Sequence, residues 1–135
     1  MFLQPKKLRY KKIKKGKLYK LSFKKNKITF GEIGIKSKNS AIISNRQIEA
    51  ARQAITRKIK KKGKVWIRIF PDFPVTKKPT SSRMGKGKGS LNHWGVKVKG
   101  GCVLFEICGV KDPIVIKNAL KTGSAKLPVK TKIFK

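Results

Sequence analysis

Positive charge runs through the whole sequence with almost no acid to neutralise it. The chain has 37 Lys and Arg residues against 5 Asp and Glu, for a formal net charge of +32 over 135 residues. Repulsion on this scale opposes any compact fold unless a polyanion neutralises it. Nucleic acid is the polyanion that this pattern favours, because each phosphate contact also releases counterions. The apolar fraction of 39% still permits one small core, so we expect one domain with charged extensions.

A basic protein of a membrane surface is the competing interpretation. Such a protein needs a strongly amphipathic, aromatic-rich helix or a lipidation signal, and the sequence contains neither. No stretch approaches the length of a membrane span. We therefore expect a nucleic-acid-binding protein with no membrane partner.

A basic, glycine-rich segment occupies residues 79–90 and reads Pro-Thr-Ser-Ser-Arg-Met-Gly-Lys-Gly-Lys-Gly-Ser. Its alternating glycines permit backbone conformations that are closed to other residues. The segment is not a Walker loop, because no Lys is followed by Ser or Thr, and it lacks the third glycine of the dinucleotide fingerprint. We expect a basic loop over residues 76–90 that gains order from an anionic partner, the alternative being a solvated linker.

The N-terminal residues 1–27 contain many basic side chains, interleaved with apolar and aromatic ones, and no acid. A removable targeting peptide is the alternative, but such peptides are rich in Arg and Ser, which are scarce here. We expect an RNA-binding arm with no stable fold away from RNA, because its apolar residues are too sparse to offset the entropy of ordering. Its candidate contacts are Lys6, Lys7, Arg9, Lys11, Lys12, Lys14, Lys15 and Lys17.

Apolar periodicity predicts an α+β domain over residues 28–135, with two helices packed on a mainly antiparallel sheet as an α/β sandwich. The best-defined element is a helix over residues 44–62, which begins with a Ser44 and Gln47 capping box and has Gly63 just beyond it. The cations of this helix lie off its apolar stripe and are expected to contact phosphates: Arg46, Arg52 and Arg57.

The remaining elements are predicted from alternation and turn residues. Prolines at 71, 74 and 79 are expected to end a strand and stiffen the approach to the basic loop. Gly100 and Gly101 are expected to form a two-residue hairpin between two strands. The predicted strands cover residues 27–36, 64–70, 94–99, 102–107 and 129–134, and a second helix covers residues 114–126 after Asp112 and Pro113.

No catalytic constellation is present in the sequence. There is one His, no convincing carboxylate pair and no nucleophile beside a base, and a nuclease would want clustered acids for metal ions. Cys102 and Cys108 lie six residues apart, at the two ends of one predicted strand, too far for a disulfide. Together with His93 they match no zinc pattern. We expect no enzyme, no metal and no cofactor.

Several stretches, in order along the chain, resemble the large-subunit ribosomal protein sixteen family, the universal L-sixteen family. They cover residues 4–7, 46–57, 64–72, 74–76, 83–89, 104–106 and 126–131. The resemblance implies a structural constituent of the large ribosomal subunit that is seated in rRNA and helps to position aminoacyl-tRNA. It also implies neighbouring ribosomal proteins as partners and no homo-oligomer.

The resemblance assigns separate roles to the two most basic segments. The N-terminal arm would thread among rRNA helices. The loop would point toward the peptidyl-transferase region and the tRNAs, and consists of Arg83, Met84, Gly85, Lys86, Gly87, Lys88 and Gly89. Local departures from the family pattern are Phe73, Asn92, His93, the Gly100–Gly101 pair and Cys108.

Composition also bears on whether the ribosome belongs to an organelle or to a bacterium. Lysine greatly outnumbers arginine and Ile is frequent, as in proteins of AT-rich genomes, and we expect no presequence. Both points favour an organelle-encoded protein of a mitochondrial ribosome, with a plastid or the cytoplasm of an AT-rich bacterium as alternatives. A free-standing basic RNA chaperone is the alternative function.

Overall fold

The structure is a computed structural model, and it describes residues 3–7, 10, 12–18, 21–22, 25–60, 62–85 and 87–135. The described part of the chain has seven strands and two helices, which confirms the predicted α+β class. In chain order these are β1 (Ile33–Ser37), β2 (Ala41–Ser44), α1 (Asn45–Lys58), β3 (Lys64–Ile67), β4 (Phe73–Lys77), β5 (Ser90–Val98), β6 (Val103–Cys108), α2 (Pro113–Ser124) and β7 (Thr131–Phe134).

The strands form two antiparallel sheets, where the sequence predicted one. Sheet A has the order β3-β6-β1-β7 and sheet B the order β2-β5-β4. The predicted hairpin between β5 and β6 is therefore wrong, because these strands lie in different sheets. Gly100 and Gly101 instead carry the chain from sheet B to sheet A. Gly101 has a φ of +87°, and a Cβ on Gly100 would lie 2.8 Å from the Lys38 carbonyl oxygen.

Helix α1 confirms the most specific local prediction. The Ser44 hydroxyl accepts a hydrogen bond from the Gln47 backbone N–H at 3.3 Å, and the Gln47 side chain accepts one from the Ser44 N–H at 2.9 Å. The helix ends before the predicted position 62, because Lys60 has a φ of 50° and has left the helical conformation. Gly63, with a φ of +99°, lies beyond this early end.

Several strand boundaries differ from the prediction, and one strand was missed. Strand β1 begins at Ile33 rather than at residue 27, and β3 ends at Ile67 rather than at residue 70. Strand β4 was missed because it contains Pro74, which was expected to interrupt a strand. Pro74 is tolerated because β4 is an edge strand of sheet B, where a missing N–H costs little.

The hydrophobic core lies between the two helices and the inner face of sheet A, and further buried residues come from sheet B. Ile48, Ala51 and Ile55 of α1 are fully buried, as the predicted stripe requires. The helices approach each other closely at Gly123, where an added Cβ would lie 2.5 Å from Ile55 Cγ1. Core residues from the other elements include Ile35, Phe105, Ile107, Ile116, Ala119 and Leu120.

Substitution of Gly123 by alanine tests this helix contact. Intrinsic helix propensity favours alanine by up to about 1 kcal/mol, but the clash with Ile55 should dominate and lower the free energy of unfolding by about 1–3 kcal/mol. Urea unfolding at fixed salt measures the change. The matched control is Lys121→Ala on the exposed face of α2, which should change stability by less than about 0.5 kcal/mol. A Gly123→Ala protein as stable as the wild type would contradict the packing.

Candidate nucleic-acid interface

The basic loop is the connection of a β-hairpin. Strands β4 and β5 pair up to Lys77 and Ser90, so residues 78–89 leave and return at one point of sheet B. The two strands that hold the loop are thus adjacent to it in sequence, whereas the nearest strands predicted from the sequence covered residues 64–70 and 94–99. Gly89 is required at the base of the loop, because a Cβ there would lie 2.5 Å from the Lys77 carbonyl oxygen.

The tip of the loop extends into solvent. Arg83 is exposed and Met84 is 97% exposed. Gly85 and Gly87 have φ angles of +103° and +74°, and no atom lies within 4 Å of the position of an added Cβ at either residue. Lys86 lies outside the described residues. The loop therefore presents charge and backbone, and its tip contributes nothing to the core.

The loop and the N-terminal arm contact each other, which the sequence did not indicate. Lys12 Nζ donates a hydrogen bond to the Lys88 carbonyl oxygen at 2.9 Å, and Lys88 Nζ donates one to the Ile13 carbonyl oxygen at 2.6 Å. These bonds satisfy two main-chain carbonyls but neutralise neither ammonium group. The contact therefore brings two cationic segments together without consuming their charge.

The described part of the arm has no helix or strand, but it is attached to the domain. The Ser22 N–H donates to the Gly100 carbonyl oxygen at 2.8 Å, and the Val103 N–H donates to the Lys25 carbonyl oxygen at 2.9 Å. Leu3 is buried in the main core cluster. The division into an arm over residues 1–27 and a domain over residues 28–135 stays a prediction.

The candidate cations of the arm that the structure describes are exposed residues. Arg9 and Lys11 lie outside the described residues. The exposed ones are Lys6, Lys7, Lys12, Lys14, Lys15 and Lys17.

Helix α1 offers two exposed arginines and one that is already paired. Arg46 and Arg57 are exposed. Arg52 donates to both carboxylate oxygens of Glu49, at 2.6 and 3.0 Å. This ion pair raises the pKa of Arg52 and lowers the pKa of Glu49. Arg52 and Arg57 line a surface depression of about 470 Å³ with Lys60, so phosphate binding there would rely chiefly on Arg57 and Lys60.

A buried ion pair in sheet A was missed by the sequence analysis. Glu106 is 0% exposed and accepts hydrogen bonds from Arg68 Nη1 at 2.6 Å and from the N–H groups of Phe30 and Gly31 at 2.7 and 2.9 Å. The Thr29 N–H approaches the same carboxylate at 3.3 Å. The available signal was an isolated acid within the apolar run of residues 103–107, which can be buried only if it is paired.

The two cysteines are free thiols. Burial raises the pKa of Cys102, against the opposing charges of Lys25 and Arg68, and the hydrogen bond to Glu32 raises the pKa of Cys108. Neither thiol is therefore activated. Among the residues that the structure describes, no group of three His, Cys, Asp or Glu side chains could hold a metal ion. The same residues include no helix long and apolar enough to cross a membrane.

The fold and its charged surfaces define a basic α+β protein that presents cations from an arm, a helix and a hairpin loop. The chain belongs to the ribosomal protein L16p/L10e family, whose family model matches residues 5–134. It is 54% identical over 129 residues to large ribosomal subunit protein uL16 of Borrelia garinii subsp. bavariensis and of Borreliella burgdorferi. The alignments cover 96% of this chain and 93% of each relative.

These comparisons confirm the family that the sequence resembles, a family of ribosomal proteins rather than enzymes. They do not support the expected mitochondrial origin, because these relatives are bacterial. The high ratio of lysine to arginine is equally compatible with an AT-rich bacterial genome, so it carried no information about an organelle.

Substitution of Glu106 by glutamine tests the buried ion pair. The amide keeps the shape but leaves Arg68 without its counter-charge, so the free energy of unfolding should fall by about 3 kcal/mol. The control is Glu49→Gln, which removes the half-buried partner of Arg52 on the surface of α1 and should cost less than about 1 kcal/mol. Chemical denaturation gives both values, and hydrogen exchange at the Phe30 and Gly31 amides should accelerate only in Glu106→Gln. Equal costs for the two substitutions would contradict this account.

Proposed function

We propose that this protein is a structural constituent of the large subunit of a bacterial ribosome, where it binds large-subunit rRNA. The observation that carries the proposal is the display of exposed cations from three separate elements, the arm, helix α1 and the hairpin loop. Two of the five acids are already used within the fold, Glu106 with Arg68 and Glu49 with Arg52, so few carboxylates remain to neutralise these cations. The names of the bacterial relatives, large ribosomal subunit protein uL16, support the same assignment.

The arm and helix α1 supply the rRNA contacts in this proposal. Their exposed groups are Lys and Arg side chains, which bind phosphate and ribose without reading sequence. Double-stranded RNA is recognised mostly through such contacts, because its deep major groove is closed to side chains. The arm gains order from rRNA, and neighbouring ribosomal proteins complete its surroundings. The protein acts as a single copy in the cytoplasmic ribosome.

The hairpin loop acts on tRNA in this proposal. About 12 residues that double back can reach at most about 20 Å from the end of the β4–β5 hairpin. Arg83 is the best phosphate ligand of the tip, because its planar guanidinium can bind two oxygens where a lysine offers a point charge. Lys88 adds attraction, and Gly85 and Gly87 allow close approach of RNA. We propose that the loop helps to position aminoacyl-tRNA near the peptidyl-transferase centre.

A free-standing RNA chaperone is the alternative function. A chaperone that works through charge alone has no need of the Glu106 pair, the capped helix and the packed core in one fold. No feature of the described residues favours it over the ribosomal role.

The rRNA contacts predict a steep salt dependence. The affinity for a large-subunit rRNA fragment should fall by about tenfold or more for a few-fold rise in salt, because counterions are released on binding. Arg57→Gln should reduce the slope of log affinity against log salt by about 1 if one phosphate contact is lost. Arg52→Gln should reduce it less, since that charge is already paired with Glu49. Filter binding at several salt concentrations measures both, and a salt-insensitive affinity would contradict the proposal.

Substitution of Arg83 by alanine separates the loop from the rRNA contacts. The residue is exposed, so folding and incorporation into large subunits should be unchanged. Accommodation of aminoacyl-tRNA should slow by about tenfold, which corresponds to one lost charge-assisted hydrogen bond. The measurements are protein occupancy by mass spectrometry and accommodation by stopped-flow fluorescence on the same ribosomes. Arg57→Ala is the control, and should lower occupancy instead. Normal accommodation at full occupancy of Arg83→Ala would show that the loop is only a spacer.

A further inference from the structure

An exposed pair of aromatic rings lies on the outer face of sheet A. The rings of Phe30 and Trp66 are stacked, with centroids 6.3 Å apart and planes inclined by 18°. Phe30 is 57% exposed. Trp66 lies on β3, an edge strand of sheet A, and is only partly covered. The side chains therefore present aromatic surface to solvent at an accessible edge.

Phe30 is exposed although its backbone is firmly held. The buried carboxylate of Glu106 accepts hydrogen bonds from the Phe30 and Gly31 N–H groups at 2.7 and 2.9 Å. Gly31 is required for this approach, because a Cβ there would lie 2.8 Å from Glu106 Cβ. A phenylalanine ring that only packed in the hydrophobic core would be buried, but the ring of Phe30 is exposed. A ring that is both exposed and fixed is preorganised for a ligand, since little conformational entropy remains to be lost on binding.

Two cationic side chains lie close to the aromatic rings. Arg68 Cζ lies 4.8 Å from the centroid of the Phe30 ring, and Lys64 Nζ lies 5.2 Å from that of Trp66. The carboxylate beneath them, that of Glu106, is buried and paired with Arg68. Glu32, two residues after Phe30, accepts a hydrogen bond from Cys108 Sγ at 3.0 Å. Because Arg68 is paired with Glu106, the surface combines two aromatic rings with the ammonium group of Lys64.

We propose that Phe30 and Trp66 form a stacking site for an unpaired base of single-stranded RNA, with Lys64 binding the adjacent phosphate. A nucleotide has the planar π-face and the negative charge that this surface complements, and aromatic side chains combined with cations are the general means of binding unpaired bases. This inference rests on the proposed function, because the bound base would belong to large-subunit rRNA. It adds a contact with a base to a surface otherwise expected to bind phosphate and ribose.

The test uses tryptophan fluorescence in the full-length protein. Trp94→Phe leaves Trp66 as the reporter, since the chain has two tryptophans. The probes are a 12-nucleotide oligoadenylate and inorganic polyphosphate of the same chain length. Both should bind through charge, but only the oligoadenylate should quench Trp66, because only it can stack.

Two substitutions of Phe30 separate stacking from apolar contact. Phe30→Leu keeps an apolar side chain but removes the π-face, and should weaken oligoadenylate binding by about 5- to 100-fold. In Phe30→Leu, the slope of log oligoadenylate affinity against log salt and the affinity for polyphosphate should both be unchanged. Phe30→Tyr keeps the ring and should retain near-normal binding. Lys64→Gln should instead reduce the salt slope for both probes.

The outcomes distinguish this inference from the proposed function. Salt-dependent oligoadenylate binding without Trp66 quenching, and unchanged by Phe30→Leu, would overturn the stacking site and leave the rRNA role intact. Failure of both oligoadenylate and an rRNA fragment to bind would overturn both. Loss of ribosome occupancy in Phe30→Leu, with normal oligoadenylate binding, would assign the rings to a protein neighbour and overturn the stacking site.

Discussion

The buried carboxylate of Glu106 joins three parts of the chain that are distant in sequence. It lies on β6, pairs with Arg68 just after β3, and accepts hydrogen bonds from the backbone that leads into β1. Removing a carboxylate from water costs several kcal/mol unless the site supplies compensating donors. Here the donors are an arginine and consecutive backbone amides. The position of the Phe30 backbone depends on this arrangement.

Excess positive charge determines how the rest of the molecule can work. The acids Glu106 and Glu49 are in ion pairs within the fold, and the remaining acids are far outnumbered by the exposed cations on the arm, on α1 and on the hairpin loop. Their mutual repulsion opposes folding of the isolated protein, and the packed core of two helices on sheet A must offset it. A polyanion relieves that repulsion and thereby links stability to binding.

The elements that the sequence predicted well are those whose signals are local. The capping box at Ser44 and Gln47 and the apolar stripe through Ile48 and Ile55 lie within a few turns of one helix. The strands were harder, because their limits depend on partners far along the chain. Pro74 was misread because nothing local shows that β4 is an edge strand. The Gly100–Gly101 turn was misread because a hairpin and a crossover between sheets share the same residues.

The two strands that pair with β1, β6 and β7, are both synthesised late in translation. Ile33 pairs with Ile107, and Ile35 pairs with Ile133, so sheet A cannot close until its last strand has been translated. Sheet B needs only residues up to Val98. A growing chain can thus complete the base of the basic loop while β1 still has unpaired edges, which are open to the wrong partners. Vectorial synthesis therefore allows the hairpin that carries the loop to form before the sheet whose Glu106 binds the Phe30 backbone.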